Sequence, residues 1–371
     1  MTHTGPRELA QPGSRIVVRR RDFLAIGAGL GATAVLAEAA RAEAAPMATQ
    51  AAPAAGDWDD GLAHPIPYAP PPGAGKARGL ALGGGGIYLA SWMAGYFRQL
   101  KAEGVDVSRA DVAVGTSAGS LVGAVLMAGR LDVFAAALED LGRDPALFAK
   151  LIPDVPPNPS QTRARRSADD ATEATPEAIR SIGRAAMAAL NPAGPADYPA
   201  HVEELIGVTD WPAPGLRTTA NDCYTGERLV VSGDSGVPIS QACAASSSLP
   251  GSMGPTWLKD RLCMDGGICQ TSTHCDVISG VKRALVVSLS DGGAEAVRVG
   301  LRTSGLPNTL QAEVAALKAA GAEVILKVVG LMPGATSVDS IMDPKWIAPC
   351  LKDGHDRAVA DAAEMRAFWN G

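Results

Sequence analysis

The pentapeptide Gly115-Thr116-Ser117-Ala118-Gly119 constrains this chain more than any other feature. An apolar run, Asp111-Val112-Ala113-Val114, precedes it, and an apolar stretch from Ser120 to Met127 follows, closed by Gly129. The run predicts a buried strand and the stretch a helix, so Ser117 falls on the sharp turn between them. Such a turn lifts a serine hydroxyl above the edge of a sheet, and Gly115 and Gly119 let the backbone pack closely around it. The N–H groups and positive end of the following helix lie beside the serine. A plain helix N-cap is the simpler reading of Ser117; the preceding strand and the two glycines favour a nucleophile.

A second glycine cluster sits one strand and one helix upstream. The strand predicted from Ala77 to Leu82 stops at Gly83, Gly84, Gly85 and Gly86, and Ile87 to Ala102 carries apolar residues at helical spacing up to a cap at Gly104. Consecutive glycines opening a helix can aim several N–H groups at one point, which is what a developing oxyanion needs. Phosphate binding is the rival reading, but the run lacks both G-x-G-x-x-G spacing and a Walker lysine. Strand, turn, helix, strand, turn, helix implies a parallel sheet with helices on its faces.

The rest of the chain extends this α/β pattern. Strands are predicted at Leu216 to Thr219, Arg228 to Ser232, Ala284 to Ser288 and Val324 to Val329, with Tyr224-Thr225-Gly226 as a hairpin turn. Helices are predicted over Leu310 to Ala320 and from about Asp353 to Trp369. Residues 130–214 read as a helical insertion, either a surface excursion or a cap beside the active site.

The N-terminal part carries a different signal. Arg20-Arg21-Asp22-Phe23-Leu24 precedes a weakly apolar run from Leu24 to Ala37, too short for a membrane span of about 20 residues. With Ala40-Arg41-Ala42 and Ala42-Glu43-Ala44 as cleavage patterns, residues 1–44 are expected to be a twin-arginine signal peptide directing export to the periplasm or beyond. A start at Met47 would instead leave the protein cytoplasmic. Residues 45–75, rich in Ala, Pro and Gly, are expected to be a linker, and 76–371 the globular domain.

Composition removes some function classes. A net charge of −6 with 4% aromatics argues against nucleic-acid binding. The 6 cysteines form no C-x-x-C pair. Cys263, Cys269, His274 and Cys275 make a loose cluster without zinc-site spacing, and small buried side chains are the expected role. Export would permit one or two disulfides. No metal or cofactor is expected.

Three blocks in order give the chain a resemblance to the patatin-like phospholipase family over roughly Ala77 to Leu351. They are the glycine run, the Gly-x-Ser-x-Gly pentapeptide, and Met264-Asp265-Gly266-Gly267 after the serine-rich Ala245-Ser246-Ser247-Ser248-Leu249-Pro250-Gly251. Thr225-Gly226-Glu227-Arg228 is similar to the family's hairpin. The resemblance implies a three-layer α/β/α sandwich with a mainly parallel sheet and a Ser–Asp dyad without histidine. It makes Ser117 the nucleophile, Asp265 the base, and Gly84, Gly85 and Gly86 the oxyanion hole. It implies hydrolysis of carboxylic esters of lipids, as by a phospholipase A, lysophospholipase or lipid esterase. The low aromatic count leaves transient contact with a membrane surface open, since the insertion could dock there. One departure stands out: the family usually has Arg or Lys, then Gly, just after the glycine run, and Ile87-Tyr88-Leu89 occupies that place.

Alternatives stay open at this level. Asp291-Gly292-Gly293 repeats the Asp-Gly-Gly string after a predicted strand and rivals Asp265 as base. A carboxylesterase triad would use Ser117, an aspartate and His355, and a non-catalytic lipid-binding protein could share the fold.

Overall fold

The computed structural model describes residues 59–152, 156–189, 198–269, 272–290, 306, 309–335 and 341–371. The expected signal peptide and the first part of the expected linker lie outside them, as does Asp291-Gly292-Gly293.

Eight strands form one sheet. They are β1 (Arg78–Leu82), β2 (Val112–Gly115), β3 (Leu216–Asp222), β4 (Arg228–Ser232), β5 (Thr256–Leu258), β6 (Arg261–Asp265), β7 (Arg283–Ser288) and β8 (Glu323–Val328). β8, β7, β1, β2 and β3 run parallel in that spatial order. β4 and β6 are both antiparallel to β3, and β5 closes a hairpin on β6.

The register on β3 decides where the site lies. β4 pairs with β3 along one edge, from Arg217 to Asn221. A strand has two edges, so β2 and β6 share the other in succession. β2 ends with Gly115 opposite Thr218, and β6 arrives from the opposite direction, ending with Asp265 opposite Ala220. Two strand C-termini therefore meet head-on along β3, one leading into Ser117 and the other ending in Asp265.

Both faces of the central strands are apolar, as burial on two sides requires. Leu80, Leu82, Leu285 and Val287 point into the larger core, with helices α1 (Gly86–Ala102), α2 (Ala118–Met127) and α3 (Leu131–Arg143). Ala81, Val112, Val114, Ala284 and Val286 point the other way, onto the short turn Cys275–Ile278. The insertion continues with α4 (Pro145–Leu151), α5 (Pro159–Asp169), α6 (Pro176–Ala188) and α7 (Tyr198–Ile206). After β4 comes α8 (Ile239–Ser246), and after β7 comes α9 (Leu310–Ala319), which packs on the second face. The chain ends in α10 (Ile347–Asn370).

Two sequence expectations need correction. The terminal helix begins at Ile347, not near Asp353, and Gly354 lies within it. A Cβ at Gly354 would be driven into the Trp92 carbonyl, and one at Gly95 into the Leu351 carbonyl. These glycines let α1 and α10 touch backbone to backbone. Trp92 Nε1 then donates to Asp353 (2.8 Å) and the Tyr96 hydroxyl to Asp361 (3.0 Å).

The second correction concerns residues 59–75, expected to be linker. Leu62 is fully buried, and Ala63 bridges Leu229 of β4. Asp60 pairs with Arg261 at 2.7 Å. The Tyr68 N–H donates to Asp276 (2.8 Å). The compact unit runs from Trp58 to Gly371.

All six cysteines are free and buried. Burial pushes the Cys223 and Cys243 thiols up to about 12, so they are inert small hydrophobes at neutral pH. Among the described residues no helix is long and apolar enough to cross a membrane, and no group of His, Cys, Asp and Glu is arranged to hold a metal ion.

Candidate active site

Ser117 stands between β2 and α2 with φ 51° and ψ −119°. A non-glycine residue in that region carries on the order of 1–3 kcal/mol of strain, which the surroundings must hold in place. Four bonds do so. Thr116 N–H donates to the Leu82 carbonyl (3.0 Å) and Ser117 N–H to Ser246 Oγ (2.9 Å). The Ser120 hydroxyl and N–H both donate to the Ser117 carbonyl, at 2.7 and 2.9 Å. The flanking glycines are required by contact: a Cβ at Gly115 would strike the Gly119 carbonyl, and one at Gly119 the Leu82 carbonyl.

Asp265 ends β6 and is fixed by its backbone. Its N–H donates to the Ser248 carbonyl (2.9 Å), and its carbonyl accepts from Asn221 Nδ2 (2.7 Å). Its Oδ1 accepts the Gly267 N–H at 2.7 Å. Oδ2 is buried and has no hydrogen-bond partner among the described residues. Burial pushes the carboxyl up to about 7, while the Gly267 N–H and then the Ser117 hydroxyl favour its charged form. The hydroxyl thus acts on the carboxyl without closing a bond of ordinary geometry to Oδ2. Such contacts are commonly loose before substrate binds.

The glycine run lies against Ser117. Gly83 N–H continues the ladder to the Val287 carbonyl (2.9 Å). A Cβ on Gly84 would stand 3.2 Å from Ser117 Cβ. Gly86 opens α1 at φ 60°. Among the described residues, no acceptor takes the N–H groups of Gly84, Gly85 or Gly86, nor that of Ala118 at the start of α2.

Ser117 lines an apolar pocket with an open mouth. Ile87, Leu121, Phe134, Leu138, Val202 and Met253 are among its walls, and among the described residues no charged side chain lines it. Phe134 and Leu138 come from α3, Leu151 from α4, and Tyr198, Val202 and Leu205 from α7. The insertion therefore walls the site. Where the family usually carries a basic residue, Ile87 faces the cavity and Tyr88 is core, its hydroxyl accepting the Met332 N–H at 2.7 Å.

The profile of the patatin-like phospholipase family matches residues 80–273. The chain belongs to that family. It is an ester-bond hydrolase of the lipid acyl hydrolase class, on a central sheet flanked by helices. Among curated proteins none matches. Among solved structures, VipD from Legionella pneumophila is 12% identical with a TM-score of 0.36, covering 79% of this chain and 68% of its own. That likeness is remote, and the assignment rests on the family match.

The structure brings Ser117, Asp265 and the Gly84–Gly86 loop together at one end of the sheet. His355 lies elsewhere, on the exposed side of α10 with Nδ1 3.2 Å from Asp356. Sequence reading missed the supporting polar residues. Ser246 holds the backbone of Ser117, Asn221 and Ser248 hold that of Asp265, and Tyr198 donates to Ser247 Oγ (3.0 Å), whose own hydrogen goes to the Cys243 carbonyl (2.7 Å). Burial pushes the Tyr198 phenol up to about 12. The serine-rich block was visible in sequence as a block, but nothing in it said which hydroxyl serves which backbone group.

Proposed function

We propose that the protein cleaves carboxylic esters of lipids through a Ser117–Asp265 dyad and an oxyanion hole at Gly84, Gly85 and Gly86. The observation that supports this best is a strained serine in the wall of an apolar pocket, its hydroxyl acting on a buried aspartate whose Oδ2 has no hydrogen-bond partner among the described residues.

Asp265 accepts the proton of Ser117 Oγ as the oxygen attacks the ester carbonyl. The N–H groups of the glycine loop, with that of Ala118, receive the oxyanion. Collapse expels the alcohol, which takes the proton from Asp265, and leaves an acyl-enzyme. Water, deprotonated by Asp265, then releases the acid and restores the serine. An aspartate of ordinary pKa is a poor base for an alcohol; burial brings Asp265 closer to the task. The apolar walls suit an acyl chain, and the absence of charged side chains among their described residues suits an ester with an uncharged neighbourhood. We further propose export by the N-terminal twin-arginine segment and transient contact with a lipid surface during turnover.

The test is fluorophosphonate labelling of the full chain beside Ser117→Ala and Asp265→Asn, with p-nitrophenyl esters of graded length. Labelling is expected to disappear in Ser117→Ala, and turnover to fall by roughly 10³-fold or more in both variants. A folded Ser117→Ala chain with wild-type turnover would refute the dyad. A His355→Ala chain is expected to retain full activity.

A further inference from the structure

The turn after Asp265 has an anchor the dyad does not explain. His274 is completely buried, and its Nε2 lies 3.0 Å from the Gly266 carbonyl. Its backbone is left-handed, at φ 47° and ψ 47°. A non-glycine residue adopts that conformation only when its surroundings hold it there. The other ring nitrogen, Nδ1, lies 3.4 Å from Arg228 Nη1. A guanidinium only donates, so Nδ1 is the acceptor and Nε2 carries the hydrogen given to Gly266. Burial, then the Arg228 charge, holds the imidazole below its ordinary pKa, and it is neutral at pH 7.

Arg228 is fixed in turn. It pairs with Asp276 at 2.8 Å and donates to the backbone carbonyls of His64 (3.4 Å) and Pro65 (2.5 Å), with 2% of its side chain exposed.

The carbonyl of Gly266 and the N–H of Gly267 belong to one planar trans peptide, and they point in opposite directions. His274 holds the oxygen end, and Asp265 Oδ1 takes the N–H end at 2.7 Å. A hydrogen bond accepted at the carbonyl also polarises the N–H across the same amide, strengthening what it gives.

We propose that His274 is a positioning residue for the base: by clamping the Gly266 carbonyl it sets the plane of the Gly266–Gly267 peptide and aims its N–H at Asp265. The inference rests on Asp265 being the base. Its consequence is directional. Gly267 N–H favours the charged carboxylate, so loosening the clamp raises the pKa of Asp265. The other group acting on that carboxyl is the Ser117 hydroxyl, on the turn between β2 and α2; the Tyr198 phenol of α7 is itself raised by Asp265, and among the described residues no charged side chain acts on the carboxyl.

His274→Phe keeps a ring but cannot donate; His274→Gln restores a donor at nearly the same reach. Both are assayed in the full chain on a soluble p-nitrophenyl ester, with Asp265→Asn as control. His274→Phe is expected to lower kcat by about 10- to 100-fold with KM nearly unchanged, and to move the acid limb of kcat/KM to higher pH. His274→Gln is expected to recover most of kcat and return the limb. If His274→Phe does not fold, His274→Asn, whose amide is too short to reach Gly266, takes its place. A folded, non-donating variant with wild-type kcat and an unmoved limb overturns the proposal. So does a Gln variant as impaired as the non-donating one, because the ring would then only fill space. Retained turnover in Asp265→Asn is a separate result: it removes the dyad reading itself.

Discussion

Burial of Asp265 opposes folding, and on the proposed mechanism the same burial brings the carboxyl nearer to the task of a base. Its folded pKa is about 7 against an ordinary 3.8, so the native state keeps a proton that the unfolded chain gives up. Stability therefore falls as pH rises from about 4 to about 7, and the loss is complete above that; three pH units correspond to at most about 4 kcal/mol. Asp265→Asn removes this titration. Its melting temperature is expected to exceed the wild type's at pH 8, with the difference shrinking toward pH 4, as thermal melts across that range would read. A pH-independent difference would mean that the carboxyl is not the source. Activity should follow the opposite course in the wild type, with kcat/KM rising through a midpoint near pH 7 as the base ionises. In Gly84→Ala, a methyl 3.2 Å from Ser117 Cβ crowds the loop away from the serine, and kcat should fall by roughly 10²-fold, as when an oxyanion donor is lost. At this scale the sequence was legible wherever backbone geometry dictates residue type. Gly115, Gly119 and Ser117 are written in one pentapeptide because the turn admits little else. Ser246 and His274 were not legible as functional residues. Ser246 meets Ser117 across 129 positions, and His274 meets Gly266 only because a turn folds back.

Among the elements, β3 does the most to build the site. It alone pairs with the strand that ends before Ser117 and with the strand that ends in Asp265. Sequence reading found β3, β4 and the turn Tyr224-Thr225-Gly226 between them. It could not find that β6 shares an edge with β2, because register is set by pairing partners and not by local pattern. Helix ends show the same limit. Gly104 and Gly129 do close helices, both at positive φ, whereas Gly354 reads as a boundary but is a contact. Gly354→Ala tests this. It adds a strong helix former to a helix interior, which in an exposed helix would stabilise by about 1 kcal/mol. Here the methyl must push α10 off the Trp92 carbonyl, and a net loss of about 1–3 kcal/mol is expected in denaturant unfolding. A gain would show that the two backbones are not in contact.

For the whole molecule, the segment before the first strand matters more than its composition suggests. Pro-rich and low in regular structure, residues 59–75 look like a tether, and composition has no way to report that Leu62 is buried or that backbone carbonyls are spoken for. Their physical role is to complete three charged side chains. Asp60 joins Asp222 and Glu227 around Arg261, His64 and Pro65 satisfy Arg228, and Tyr68 N–H bonds Asp276. Remove the segment, and a buried guanidinium at Arg228 loses its carbonyl acceptors, while Leu62 forfeits about 1.5–3 kcal/mol of burial. A chain beginning at Trp58 keeps these contacts; one beginning at Lys76 does not. The longer chain is expected to melt like the full protein. The shorter one should melt several degrees lower, since 1 kcal/mol shifts the midpoint of a domain this size by about 2–4 °C. Its acid limb should also move toward that of His274→Phe, because Arg228 fixes the imidazole that holds the base's peptide. Equal melting temperatures and equal limbs in the two chains would show that the segment is the passive tether its composition suggests.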